Sequence, residues 1–231
     1  MFITFEGCDG SGKSTHIALL CDALRARGLS VVRTREPGGT PIAEQIRTVL
    51  HDMRNAGMLP ATEILLYSAS RAQHVGEIIR PALERGELVI SDRFAESTMA
   101  YQGYGRGLDL EALRQITRFA TSNLQPDLVV YLDLDVEVGL ARKRRDLEAG
   151  RGEWNRMDEQ TLAFHSRVRQ GYLAMAADAP ERWLTVDANQ SIEAIHRTII
   201  ARVNEVLAGD ISARMDEADG TQTKGDVRGH G

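Results

Sequence analysis

The feature that most constrains this chain is a short loop near its start. Gly7-Cys8-Asp9-Gly10-Ser11-Gly12-Lys13-Ser14-Thr15 has the spacing of a phosphate-binding loop: a glycine, four residues, then glycine, lysine and a hydroxyl side chain. Such a loop works only in one local setting. Glycines let successive backbone N–H groups converge on phosphate oxygens, and a helix starting at Gly12 aims its positive end at the same point. The sequence supplies that setting: Phe2 to Phe5 reads as a strand, and Lys13 to Arg27 as a helix with Ile17, Leu20 and Leu24 on one face. Lys13 then meets the β- and γ-phosphates, and the Ser14 hydroxyl can ligate Mg²⁺. A nucleoside triphosphate is the expected ligand.

The rest of the chain repeats the alternation. Leu29 to Arg33, Leu88 to Ser91, Leu128 to Leu132 and Trp183 to Val186 read as further strands. Between them run helical patterns, among them Ile42 to Leu50 with Ile46, Val49 and Leu50 inward, and Leu110 to Ala120. Short strands apolar on both faces, separated by helices, make an α/β fold: a parallel five-stranded sheet with helices on both faces. Ligands of such folds lie beyond the carboxyl ends of the strands. Residues 1–208 read as a single domain. From Gly209 to Gly231 large apolar residues are few, and the segment reads as a disordered tail.

Charge narrows the partners. Twenty-eight basic residues against 33 acidic ones leave a formal net charge of −5. That balance excludes a surface that coats nucleic-acid polymers or an anionic membrane, though not a local cationic pocket. No stretch approaches the roughly 18 consecutive apolar residues of a membrane span. No signal peptide is evident, and two cysteines, Cys8 and Cys21, fit a reducing cytoplasm.

Other motifs choose among phosphate-loop proteins. The guanine-reading Asn-Lys-x-Asp pattern is absent from the sequence, as is a long apolar run ending in Asp-Glu. Ser91-Asp92-Arg93-Phe94 follows the third strand, where Asp92 can meet a metal, directly or through a water, and Arg93 can clamp a phosphate. Together with Thr34-Arg35-Glu36-Pro37-Gly38-Gly39-Thr40, Leu66-Tyr67-Ser68-Ala69-Ser70-Arg71 and Ala100-Tyr101-Gln102-Gly103-Tyr104-Gly105-Arg106-Gly107, this closely resembles bacterial thymidylate kinases from Phe2 to about Leu207. The resemblance implies a phosphate-loop nucleotide-kinase fold, phosphoryl transfer from ATP–Mg²⁺ to dTMP, and a homodimer. Asp9 matches the acid that meets the acceptor sugar's 3′-hydroxyl near the metal. Glu36 and Pro37 match the turn shaping the acceptor pocket, and Arg47 and Arg93 match arginines on the acceptor phosphate. Arg71 matches the residue on thymine O4. Ser97, Thr98 and Gln102 line the base and sugar region, with Thr98 or Gln102 the candidate for thymine N3, while Tyr101 packs on the sugar. Two positions depart from the pattern: Tyr67 stands where phenylalanine usually stacks on thymine, and Phe94 where tyrosine is commoner.

Arg142-Lys143-Arg144-Arg145, Arg151 and Arg156 crowd the stretch after the fourth strand, where nucleotide kinases carry a lid, here about 142–157. Gly10 and Ser11 leave the phosphate loop without an arginine of its own, so the lid is expected to supply the cation for the transferring group, with Arg142, Arg144 and Arg156 as candidates. An acceptor phosphate has a second pKa of about 6 and needs no general base. Glu36 could serve as one toward a hydroxyl, which keeps a nucleoside kinase or another deoxynucleotide kinase open as an alternative. A phosphate-loop switch without an acceptor is a further alternative.

Overall fold

The computed structural model describes residues 1–222. Five strands, β1 (Phe2–Glu6), β2 (Val31–Arg35), β3 (Leu88–Asp92), β4 (Leu128–Asp133) and β5 (Trp183–Asp187), form one sheet in the order β2-β3-β1-β4-β5. Every pairing is parallel. The helices are α1 (Lys13–Ala26), α2 (Pro41–His51), α3 (Pro60–His74), α4 (Arg80–Glu84), α5 (Ala95–Thr98), α6 (Leu110–Thr121), α7 (Val136–Glu148), α8 (Leu162–Asp178) and α9 (Ile192–Gln222). Two π-helical stretches, Val75–Ile79 and Met99–Gly105, continue α3 and α5. The sheet and its helices are those the alternation of patterns implies.

Both faces of the sheet are buried, as parallel sheets require. Alternate strand residues divide the core. Ile3, Phe5, Val130 and Leu132 pack with Ile17, Leu20 and Leu24 of α1 and with Ile195, Ile199 and Val203 of α9. On the other face Val129 and Tyr131 meet Phe164, Val168 and Tyr172 of α8, while Phe2 and Val89 meet Ile79 and Phe94. Leu20 and Leu24 have no exposed surface. At about 25 cal/mol per Å² of apolar area, two such buried leucines contribute several kcal/mol.

Two sequence expectations shift. Strand β2 begins two residues later than Leu29, because Gly28 at φ +80° and a Leu29 N–H to Leu24 carbonyl bond of 3.2 Å close the end of α1 first. In α2, which the Thr40 hydroxyl caps by accepting from Ala43 N, the buried residues are Ala43 and Leu50; Ile46 is half-buried and Val49 exposed. That helix packs on α3 rather than on the sheet. At the other end, α9 runs on to Gln222, so the backbone enters the stretch read as a tail without a break, and residues 223–231 lie outside the described residues.

Candidate active site

Beyond the carboxyl ends of β1, β3 and β4 opens a cleft of about 1000 Å³. The phosphate loop forms one end. Gly7, Gly10 and Gly12 all have positive φ, at 141°, 78° and 91°. A Cβ on Gly7 would come 2.7 Å from the Leu132 carbonyl oxygen, so only glycine fits between β1 and β4 there. Lys13 curls over the loop, donating to the carbonyls of Gly7 at 3.0 Å and Cys8 at 2.9 Å. Burial, then the Arg93 charge, pulls its ammonium below the ordinary lysine range. Ser14 donates to Asp92 Oδ2 at 3.2 Å, which brings a hydroxyl from α1 and a carboxylate from β3 to one point.

The middle of the cleft is organised by Asp9. Its Oδ1 pairs with Arg93 at 2.7 Å and Lys13 at 3.7 Å, and its Oδ2 with Lys143 at 2.6 Å. Burial opposes ionisation, but the charges of Arg93, Lys13 and Lys143 outweigh it and hold the carboxyl well below the usual range. Both Asp9 oxygens are thus taken up by cations, whereas Ser14 and Asp92 meet each other directly. Arg93 takes φ +71°, unusual for a side chain with a Cβ. Its guanidinium lies 5.1 Å from the Tyr101 ring centre, within reach of Ser97 Oγ at 3.3 Å and Tyr172 OH at 3.4 Å. Behind it, buried Glu6 accepts from Phe94 N, Ser97 Oγ and Tyr172 OH. Ser97 therefore holds the arginine's support as well as lining the cleft.

At the far end, Glu36 precedes Pro37 through a cis peptide bond and accepts from Arg71 Nε at 2.8 Å, with His74 Nδ1 at 3.1 Å. Burial opposes its ionisation, yet the Arg71 charge and the His74 contact bring the carboxyl below its ordinary value. Arg71 also donates to Thr98 Oγ1 and to the Phe94 carbonyl, each at 2.9 Å. Arg47 donates to the Pro37 carbonyl at 3.1 Å and pairs with Glu153, which also meets His51. Tyr67, Thr98, Tyr101 and Gln102 line the same end. Burial pushes the Tyr67 hydroxyl up to about 12, so it stays a neutral phenol. Phe94 is fully buried edge-on against Phe2, with ring centres 4.9 Å apart, where a hydroxyl would meet core.

Of the cations in the stretch expected to form a lid, Arg142 lines the cleft and donates to the Ala188 carbonyl at 3.3 Å. The other two candidates lie elsewhere. Arg144 stacks over Trp154 at 5.5 Å, outside the cleft lining. Arg156 is buried, its Nη2 2.6 Å from Glu63, because that carboxylate has no exposed surface and needs a cation. Lys143 also reaches the phosphate loop, bridging Asp9 and Asp158, and Arg142 lies against Gly10. Arg151 also lines the cleft, paired with Asp146 at 2.7 Å.

A sequence model of the family described as thymidylate kinase matches residues 5–199. The chain belongs to the thymidylate kinase family. A thymidylate kinase of Roseiflexus castenholzii is 52% identical over 216 residues, covering 90% of this chain and 94% of its own. That of a Geobacter species is 50% identical, covering 83% and 86%. The crystal structure of the Ehrlichia chaffeensis thymidylate kinase matches with a TM-score of 0.69 at 34% identity, over 88% of this chain and 98% of that one. As a thymidylate kinase the chain also holds cleft and support neighbours to which the sequence reading gave no role of their own: Glu6, Glu63, His74, Lys143, Asp158 and Tyr172. Most pair with partners 35 or more residues away, as Tyr172 does with Glu6 and Glu63 with Arg106. Lys143 had a local signal in Gly139, one helical turn before it.

Proposed function

We propose that the chain phosphorylates dTMP to dTDP in this cleft, with ATP as phosphoryl donor. The observation that carries the reading is two sets of cations lining one cavity: Lys13 of the phosphate loop, and Arg47 and Arg93, which would hold an acceptor phosphate. A nucleotide switch has no use for the second set. Arg93 and Asp9 occupy the seam, where the transferring phosphoryl group would lie between donor and acceptor.

Little chemistry is needed beyond position and charge. The acceptor phosphate is mostly deprotonated at neutral pH, and its oxygen attacks in line. Lys13, Arg93, Arg142 and Lys143 would neutralise the charge shared among the leaving, transferring and attacking oxygens. The hydroxyl of Ser14 and the carboxylate of Asp92 are hard oxygen donors suited to Mg²⁺, which supplies Lewis-acid neutralisation of the donor phosphates when bound. Arg71 would donate to thymine O4, Tyr67 stack on the base, Tyr101 pack on the sugar, and Asp9 accept from its 3′-hydroxyl. Glu36 makes a poor general base: both oxygens are bound and its carboxyl is held below the ordinary range. That disfavours a nucleoside kinase, which must deprotonate a hydroxyl.

Two further parts of the reading concern setting. Adjacent helices α2, α3 and α6 expose Ile42, Val49, Leu65 and Phe119, the last 88% exposed, and this apolar cover fits the homodimer that the resemblance implies. Cys8 and Cys21 are both free thiols, consistent with a reducing cytoplasm, and among the described residues no helix is long and apolar enough to cross a membrane. The test is a coupled ADP assay with thymidine, dTMP, dUMP, dCMP and AMP as acceptors. The reading requires dTMP to be the preferred acceptor. Equal turnover of AMP, or ATP consumption indifferent to dTMP, would refute it.

A further inference from the structure

Glu63 lies on α3 with no exposed surface, and nothing in the reaction so far uses it. A buried carboxylate needs partners, and this one has three. Arg106 donates through Nε to Oε1 at 2.7 Å and through Nη2 to Oε2 at 2.8 Å. Arg156 Nη2 stands 2.6 Å from Oε2, and Gln102 Nε2 donates to Oε1 at 2.9 Å. Burial favours the neutral acid, but the hydrogen bonds from Arg106 and Gln102 and the two guanidinium charges outweigh it and keep the group ionised.

An ionised carboxylate can only accept. A glutamine side chain carries a donor on one arm and an acceptor on the other, and a half-turn of its amide exchanges them. Beside Glu63 that exchange is blocked, because the Gln102 carbonyl would then face carboxylate lone pairs. Gln102 also lines the cleft, so the acceptor arm is the one left to the base-binding end. Arg71, a pure donor, lines the same end.

We infer that Glu63 is a positioning residue for acceptor-base choice: by holding the Gln102 amide nitrogen, it turns the Gln102 carbonyl toward the cleft to receive a base that carries an N–H at ring position 3. The inference rests on dTMP being the acceptor and names what selects its base. Thymine and uracil offer N3–H beside a carbonyl, which matches the acceptor of Gln102 and the donor of Arg71. Cytosine offers a bare N3 beside an amino group and opposes both. A site built for one such pattern rejects its inverse strongly, since its own buried polar groups are left unpaired.

The test compares kcat/KM for dTMP and dCMP in the unmodified chain, Glu63→Gln, Gln102→Leu and the double variant. A neutral amide at position 63 can donate as well as accept, so Gln102 becomes free to turn over. The dTMP-over-dCMP ratio should then fall about tenfold or more, with the loss on dTMP carried by KM while kcat stays within about threefold. In the Gln102→Leu background, Glu63→Gln should leave the ratio unchanged. An unchanged ratio with Gln102 present, or an equal fall with it absent, overturns the inference. A second measurement needs neither substrate nor a folded Glu63 variant. In the unmodified chain the Gln102 side-chain NH₂ signal, assigned by its loss in Gln102→Leu, should exchange slowly with water; fast exchange overturns the inference. Absence of any dTMP-dependent ADP formation would instead refute the functional reading, leaving the amide measurement to report on Glu63 by itself.

Discussion

Gly139 is where α7 touches the phosphate loop, and replacing it with alanine sets two calculable effects against each other. In a helix interior, alanine is favoured over glycine by about 1 kcal/mol. Against that, a Cβ at position 139 would stand 2.8 Å from the Asp9 carbonyl oxygen and 2.9 Å from Cys8 Sγ. The first neighbour is backbone and has no rotamer to escape into, so the gap must open by roughly half an ångström to reach ordinary contact. Overpacking of this kind costs about 1–3 kcal/mol, leaving a net destabilisation of about 0–2 kcal/mol and a Tm lower by up to about 8 °C. The functional effect should be larger. The same shift moves Lys143, one turn along the helix, away from Asp9, and moves the loop carbonyl beside the phosphate cradle; misplacement of this order costs about tenfold in kcat/KM for ATP. Gly76→Ala is the control, since nothing lies within 4 Å of a Cβ there; it should raise Tm modestly and leave kinetics alone. The measurements are thermal melts and ADP formation with ATP varied. A Gly139→Ala chain that melts higher than its parent with unchanged kcat/KM would refute the packing of α7 on the loop.

Three further outcomes are expected. Lys13→Ala should lower kcat by about 10³-fold or more while leaving the far-ultraviolet circular dichroism spectrum intact, because the side chain bonds only to its own loop and to Asp9; retention of more than a tenth of kcat would contradict its role. Lys143→Ala should lower kcat about 10–100-fold with Arg144→Ala within about twofold, and the reverse ranking would return the lid cation to the arginine. Burial, then the Glu6 charge, pushes Glu96 from an ordinary 4.5 up to about 7, so the folded chain holds that proton more tightly than the unfolded one. The stability it contributes is complete below about pH 4.5 and is lost as pH rises through 7, about 3 kcal/mol in all. Glu96→Gln should therefore flatten denaturant stability between pH 5 and 8, and an unaltered slope would show that Glu96 does not titrate there.

How much of this was legible in the sequence depends on how far apart the partners lie along the chain. The phosphate loop was legible because strand, glycines, Lys13 and Ser14 are contiguous and each has a local reason. The sheet was legible because each strand carries its own apolar signature. The buried acids Glu6 and Glu63 were not: each looks like any carboxylate in a strand or helix until Tyr172 and Arg106 fold against them. The lid falls between these cases. A run of four cations states that charge is present but not which way it points, and on a helix successive residues diverge by about 100°. Facing was nevertheless encoded. A glycine in α7 marks the side on which another backbone comes close, and the residue four positions on shares that side. Gly139 meets the loop, so Lys143 must meet it too, whereas Arg144 is turned away toward Trp154. The contact of Lys143 with Asp9 is thus set by a residue with no charge at all.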